Sequence, residues 1–289
     1  MPAPEAAPRE AAQCPVVTLD DPEYGDDKVR LTLSPEVRHQ ELEALRTGAV
    51  ASVHSWELVT AVDGPGTRLT IFLAGCPLRC QYCHNPDTLN MRDGAITTID
   101  EVMERIRRYR TVFAATGGGV TLSGGEPLMQ PAFVTRVFEE CRALGIPTAL
   151  DTSGFLGRRA SDRLLKNTSL VLLDVKSGLP DTYKTVTTRE LAPTIEFGDR
   201  LAELGVPAWI RFVLVPGLND AVENVEAAAD IVERWPNVER VEVLPFHQMG
   251  EDKWQRLGRE YTLHGVQPPD EALQQRVRDQ FRARGLEVH

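Results

Sequence analysis

The sequence, 289 residues long, contains no apolar run approaching the roughly 20 residues that a membrane-spanning helix needs. It has no basic excess either: 32 Lys and Arg stand against 42 Asp and Glu, for a formal charge of −10. A nucleic-acid binder needs a concentrated basic surface to displace counterions, so that class is disfavoured. Residues 1–13 are rich in Ala, Pro and Glu, with neither a basic n-region nor an apolar h-region. They do not read as a secretory signal, and a cytoplasmic location is expected. Missing too is the even, spread-out cysteine framework that staples small secreted domains. There are five cysteines, and three of them fall within eight residues.

Those three are Cys76, Cys80 and Cys83, followed at once by His84 and Asn85. Three soft thiolates this close together can reach one metal centre without help from the rest of the fold. On a four-iron cube they would leave one iron without a protein ligand. An open iron is a place for chemistry, whereas a fully ligated cluster usually only carries electrons. The alternative is structural zinc with His84 as fourth ligand. Zinc knots, however, usually clamp two separated parts of a chain, and four ligands inside nine residues would make a strained tetrahedron. Cys14 and Cys141 read as incidental thiols.

Residues 1–47 differ in texture from the rest of the chain. Met1 to Gln13 is expected to be disordered, and Asp20 to Asp27 is an acidic, turn-rich stretch. Ser34-Pro35-Glu36 supplies a helix start and Gly48 a stop, which predicts a short helix over Pro35 to Arg46. From about Val50 short apolar runs alternate with helical patterns. Strands are expected at Leu69 to Leu73, Gly119 to Leu122, Pro147 to Leu150, Leu170 to Leu173, Trp209 to Val215 and Val238 to Leu244. Helices are expected at Ile99 to Arg110, Ala132 to Leu144, Ser161 to Asn167, Pro193 to Leu204, Ala221 to Trp235 and Pro269 to Arg284. Such alternation argues for parallel βα units, and six of them for an open or partial barrel.

In parallel α/β folds chemistry collects at the C-terminal strand ends. Cys76 follows the first expected strand, Ser123-Gly124-Gly125-Glu126 the second and Asp151-Thr152-Ser153 the third. Asp174 and Lys176 follow the fourth, Arg211 lies on the fifth and His247 closes the sixth. Six of six points to a single site. The glycine pair permits close backbone approach to a ligand, although alone it reads as no more than a tight connection. Asp174 and Lys176 share a side of the chain and could be an ordinary ion pair. Arg211 interrupts an apolar strand and needs an anionic partner, either protein or ligand. His247 alone could be a satisfied buried histidine.

At these residues the chain resembles a known family. The C-x3-C-x2-C spacing, with Tyr82 just before the third cysteine, is that of radical S-adenosylmethionine (radical SAM) enzymes. From about Ser52 onward the chain is similar, more narrowly, to the activases of glycyl-radical enzymes. The motifs that carry this are Val62 to Arg68, Tyr82 to Asn85, Gly117 to Thr121, Ser123 to Glu126, Leu150 to Thr152, Leu173 to Lys176, Trp209 to Arg211 and Leu244 to His247. The resemblance implies an α/β fold, a partial (β/α)6 TIM-like barrel of the radical SAM type over 48–289, with an N-terminal extension over 1–47. It implies one [4Fe-4S] cluster on Cys76, Cys80 and Cys83, with S-adenosylmethionine on the open iron. Reductive cleavage of that cofactor would give a 5′-deoxyadenosyl radical that takes hydrogen from a glycine Cα of a partner enzyme.

By the same resemblance Tyr82, Cys83 and His84 line the cofactor, and Gly124, Gly125 and Glu126 meet its methionyl amino group. Asp174, Val175 and Lys176 bind its ribose or carboxylate end, with Val213 and His247 near the adenosine. Asp151, Thr152 and Asp174 resemble a monovalent-cation site, although Leu172 stands where the family has methionine. Asp63 and Arg211 would contact the glycine-bearing loop. No cysteine lies between Cys83 and Cys141, so the ferredoxin-like insert of several other activases is lacking. That favours the branch acting on pyruvate formate-lyase, with flavodoxin or ferredoxin as electron donor and a monomer expected. Two readings of other classes stay open: a radical SAM enzyme acting on a small molecule, and a zinc or iron–sulfur scaffold without activity.

Overall fold

A computed structural model describes residues 35–60 and 62–289. The expectations for 1–13 and 20–27, for Cys14 and for the Ser34 cap lie outside these residues. The chain divides into units 1–40 and 41–289, and the second carries all the strands described here. These are β1 (Val50–Thr60), β2 (Arg68–Leu73), β3 (Ala95–Thr98), β4 (Gly119–Gly124), β5 (Thr148–Thr152), β6 (Leu170–Asp174), β7 (Ala208–Leu214) and β8 (Val238–Pro245). They form one sheet in the order β3-β1-β2-β4-β5-β6-β7-β8. The six strands expected from the apolar runs, β2 and β4 to β8, pair in parallel with one another. The sheet does not close, as six units suggested.

Two strands, β1 and β3, lie outside the expected set. β1 pairs antiparallel with both β2 and β3 and extends the sheet on one side. Polar His54, Ser55 and Glu57 interrupt its apolar pattern, because that part of the strand is only half covered.

The helices are α1 (Pro35–Thr47), α2 (Ile99–Arg108), α3 (Arg110–Thr116), α4 (Pro131–Ala143), α5 (Asp162–Leu165), α6 (Pro180–Thr187), α7 (Ala192–Leu204), α8 (Val222–Glu233), α9 (Glu251–Arg256) and α10 (Glu271–Arg282). Local chemistry explains several boundaries. Thr98 and Glu101 form a capping box that starts α2, and Gly205, at φ +63°, ends α7. The short helices α3, α6 and α9 carry no pattern long enough to stand out in the sequence. No described helix is long and apolar enough to cross a membrane.

Strand alternation sorts the sheet into two faces. Ile71, Leu122, Leu150, Leu173, Ile210, Phe212, Val241 and Val243 share one core cluster with Val137 and Phe138 of α4, Phe197 of α7, Val232 of α8 and Phe281 of α10. Burying each such side chain stabilises the fold by about 1.5–3 kcal/mol. Residues of the opposite parity line the other face, and strand register aligns them. Phe72 pairs with Ser123, Asp151 with Leu172, Leu172 with Trp209, and Trp209 with Arg240. Asp174 pairs with Arg211, and Arg211 with Glu242. Ala149, Leu170, Leu172 and Trp209 form an apolar cluster on this inner face, and Val213 packs toward a second with Tyr82 and Phe246. Between them the face is polar.

Candidate active site

β2 delivers the chain into the cysteine loop, which is held by backbone bonds and by side chains from later in the chain. Gly75 N donates to Thr88 O at 2.7 Å and Cys76 N to Leu89 O at 3.1 Å. Arg79 N reaches Thr187 O at 2.9 Å and Gln81 N reaches Val186 O at 3.0 Å, both at the end of α6. The Gln81 side chain adds a bond to Thr185 O at 2.8 Å. From α9, Trp254 Nε1 donates to Cys83 O at 2.9 Å, and Lys253 Nζ reaches Asn85 Oδ1 at 2.9 Å. The thiols of Cys76, Cys80 and Cys83 are free and half-buried. Burial raises all three above the ordinary thiol range, Cys80 to about 12 although Lys176 pulls it down. Cys141 is fully buried in the core, as an incidental thiol should be.

Among the described residues, no three His, Cys, Asp or Glu side chains converge on a single-ion site. His84 is engaged elsewhere, its Nε2 3.1 Å from His247 O and its ring stacked on His247 at 4.3 Å. A zinc tetrahedron needs ligands aimed at one point. A four-iron cluster takes one thiolate on each of three irons and needs no such convergence. The thiols fit the cluster and not the zinc ion.

The Gly124–Glu126 turn lies directly against this loop. A Cβ on Gly125 would stand 2.4 Å from Gly75 O and 2.9 Å from Thr88 O, both backbone atoms. One on Gly124, at φ +113°, would meet Leu73 N at 2.4 Å. Gly125→Ala is therefore expected to displace the cysteine loop and destabilise the chain by about 1–3 kcal/mol. Iron bound per chain after anaerobic reconstitution should fall with it, and wild-type iron content would contradict the packing argument.

Glu126 is 1% exposed and its acceptor positions are filled. Oε1 accepts from Thr152 Oγ1 at 2.7 Å and Leu128 N at 3.1 Å; Oε2 accepts from Ser153 N at 3.0 Å and Ser153 Oγ at 2.6 Å. Burial raises its pKa, and those donors pull it back. In this arrangement Glu126 ties the end of β4 to the end of β5.

The inner wall supplies the rest. Arg211 is 7% exposed and has the anionic partners its place in β7 requires. Nη1 lies 3.3 Å from Asp151 Oδ1, Nη2 3.6 Å from Asp63 Oδ1, and Nε 3.4 Å from Glu242 Oε2. Nη2 also donates to Val62 O, while Nε makes no hydrogen bond. Burial alone would lower the Arg211 pKa, but Asp151, Asp174, Asp63 and Glu242 outweigh it. Asp151 accepts from Ser123 Oγ at 2.5 Å. Burial pushes its carboxyl up to about 6 against the pull of Arg211.

Lys176 Nζ pairs with Asp174 Oδ2 at 2.8 Å and stands 5.6 Å from the centre of the Tyr82 ring. Lys176 is 8% exposed, so this is not the ordinary surface pair that the sequence allowed. Tyr82 Oη and His247 Nδ1 are buried polar atoms without a partner. Val213 faces inward and half-buried, whereas the Val175 side chain belongs to the core, leaving only its backbone toward the site. Asp151 and Asp174 stand on the inner wall, but the Thr152 hydroxyl is spent on Glu126 and Gly154 N.

Sequence reasoning passed over Ser123 and Glu242, which touch the charged residues of the wall, and the supporting residues Thr70, Thr121 and Trp254. Counting by two along β4 reaches Ser123 and Thr121 from Gly125, and cross-strand register reaches Glu242 from Arg211. Nothing local marks Trp254.

Residues 70–230 match the model of the radical SAM superfamily. The chain is 41% identical over 225 residues to the pyruvate formate-lyase-activating enzyme of Clostridium pasteurianum, covering 78% of this chain and 94% of that one. It is 40% identical over 231 residues to the pyruvate formate-lyase 1-activating enzyme of Escherichia coli, covering 79% and 94%. Among solved structures, a domain of the pyruvate-formate lyase-activating enzyme from Bacteroides vulgatus matches with a TM-score of 0.51 at 28% identity. That match covers 60% of this chain and 98% of the domain. Streptococcus suis SuiB shares the fold at a TM-score of 0.57 and 15% identity, over 88% of this chain and 52% of that one.

Proposed function

We propose, for a chain that belongs to the radical SAM superfamily and within it to the pyruvate formate-lyase-activating enzymes, that it installs a glycyl radical on pyruvate formate-lyase. The carrying observation is the set of three free thiols on a hydrogen-bonded loop that opens toward a polar inner wall. Cys76, Cys80 and Cys83 would hold a [4Fe-4S] cluster. Bound there, the cluster and S-adenosylmethionine would supply one-electron reductive cleavage chemistry, the electron coming from an external donor, for hydrogen abstraction from a glycine Cα.

The chain's own residues bind, orient and exclude water. The unpartnered Tyr82 Oη and His247 Nδ1 offer hydrogen bonds to the cofactor's nucleoside, beside His84 and Val213. The backbone of Gly124 and Gly125 meets the methionyl amino group, and Glu126 fixes that backbone rather than binding directly. Asp174 and Lys176, with the backbone of Val175, hold the ribose or carboxylate end. Asp151 and Asp174 hold a monovalent cation if Thr152 joins through its backbone. The Arg211 guanidinium and the carboxylate of Asp63 would grip the peptide loop. Radical hydrogen transfer needs this positioning and no general base. We infer also that flavodoxin or ferredoxin delivers the electron, that the protein acts as a cytoplasmic monomer, and that 1–47 is an extension of the domain over 48–289.

Reduced protein, S-adenosylmethionine and pyruvate formate-lyase, mixed without oxygen, should give the doublet of a glycyl radical in the electron paramagnetic resonance spectrum. Cofactor cleavage without that doublet would instead assign a small-molecule substrate.

A further inference from the structure

Arg68 opens β2 with its side chain 1% exposed; burial lowers its pKa to about 10, and the Asp63 charge opposes that without a close ion pair between them. A guanidinium in such a place is costly to bury, and none of the roles proposed for the cofactor or the peptide uses it. Its donors go to neutral groups. Nε donates to Thr121 Oγ1 at 3.0 Å, and Nη2 to Val120 O at 2.5 Å. With an N–H donated into its lone pair, the Thr121 hydroxyl directs its own proton to Asp63 O at 2.6 Å.

Asp63 is held at two further points. Thr70 Oγ1 donates to its carboxylate Oδ2 at 3.1 Å, and Arg211 Nη2 donates to the preceding carbonyl, Val62 O. Two consecutive carbonyls of the segment between β1 and β2 are thus fixed by β4 and β7, and the carboxylate by β2. Gly64 then crosses above the inner wall at φ +114°, where a Cβ would lie 3.5 Å from Arg68 Nε and 3.8 Å from Ala149 Cβ. Arg68 sits beneath this segment and orients the hydroxyl that pins its centre.

We propose that Arg68 and Thr121 are positioning residues for peptide recognition: through the Thr121 hydroxyl they hold Asp63 in place, and so set affinity for the glycine-bearing loop without contacting the cofactor. This rests on the proposed function, in which Asp63 grips the peptide.

The test compares Thr121→Val, which loses the hydroxyl, with Thr121→Ser, which keeps it. In the partner-free protein, amide exchange over 62–67 should quicken about five- to tenfold in T121V, the size of one lost hydrogen bond. KM for a peptide carrying the glycine loop should rise by a similar factor, roughly five- to tenfold. Turnover at saturating peptide and partner-free cleavage of S-adenosylmethionine should stay within about twofold of wild type, since no cofactor contact changes. T121S should restore both quantities. Unchanged exchange over 62–67, an equal loss of cofactor cleavage and peptide turnover, or no rescue by T121S would each overturn the proposal.

Should T121V fail to fold, Arg68→Lys, which keeps the charge but loses the Nε donor, carries the same expectations. Failure of both to fold overturns the proposal in favour of a purely structural pair. The exchange measurement needs no partner. Wild-type protein that gives no glycyl radical therefore counts against the proposed function and leaves this arm standing.

Discussion

Cys80→Ala is expected to abolish cluster assembly and all cleavage of S-adenosylmethionine while leaving the protein folded. The bonds that shape the loop run from Gly75 N, Cys76 N, Arg79 N, Gln81 N and the Gln81 side chain to carbonyls of Thr88, Leu89, Thr187, Val186 and Thr185. The Cys80 thiol ties no other residue of the loop, and the core lies on the far face of the sheet. The metal-free variant should therefore melt within about 2–4 °C of metal-free wild type, the shift expected of a change of roughly 1 kcal/mol in a domain of this size. Anaerobic absorbance near 400 nm, 5′-deoxyadenosine release and circular dichroism check the three parts. Global unfolding of C80A would make the site structural and sink the active-site reading.

Arg211→Met should cost more stability than any other single change on the inner wall. It removes the guanidinium shared by Asp151, Asp63 and Glu242; Arg240 remains near Glu242, but the buried Asp151 loses its paired cation. Breaking a buried ion pair from one side costs about 3–5 kcal/mol, which lowers the melting temperature by roughly 6–20 °C in a chain of this size. Lysine should rescue poorly, because it lacks the planar fork that spans several carboxylates. Adding Asp151→Asn to R211M should recover part of the loss by removing one stranded charge.

The deficit should also depend on pH. Burial raises the Asp151 carboxyl to about 6, and Arg211 opposes that rise, so without Arg211 the carboxyl lies higher still. A carboxyl raised in the folded state contributes its full stability below the unfolded value of about 3.9 and loses it as pH climbs through the folded value. The gap between R211M and wild type should therefore be wide at neutral pH and narrow on acidification through about 6. Melting curves across that window test it, and a gap that widens on acidification would refute the charge argument.

The central parallel strands were legible because they are buried on both faces and so read as apolar runs, Leu170–Leu173 most clearly, whereas β8 showed only as alternating valines. The polar residues at their ends were legible for the same reason, since Arg211 or Asp174 stands out against such neighbours. β1 was not legible, because a half-covered strand carrying His54, Ser55 and Glu57 has the texture of a loop. Thr121 and Thr70 were passed over because threonine in a strand is ordinary. Only the strand register shows that both face Asp63. The supports of the cysteine loop, α6 and Trp254, lie about a hundred residues or more further along the chain. Sequence periodicity carries no information about contacts at that distance.

The α6 contact makes the cysteine loop part of a cooperative unit that can open on its own. The last carbonyls of a helix have no partner within it. Here those of Thr185, Val186 and Thr187 are taken by Gln81 Nε2, Gln81 N and Arg79 N. Thr188, at φ +64°, turns the chain away immediately afterward. Loop and helix end thus cap one another, and opening either strips bonds from both. Local opening of this kind is a sub-global unfolding event with its own free energy, below that of the whole fold. Slow-exchanging amides in Pro180–Thr187 should consequently report on the order of a loop far earlier in the chain. Anything that tightens the cysteines should slow exchange in that helix before it moves the melting point.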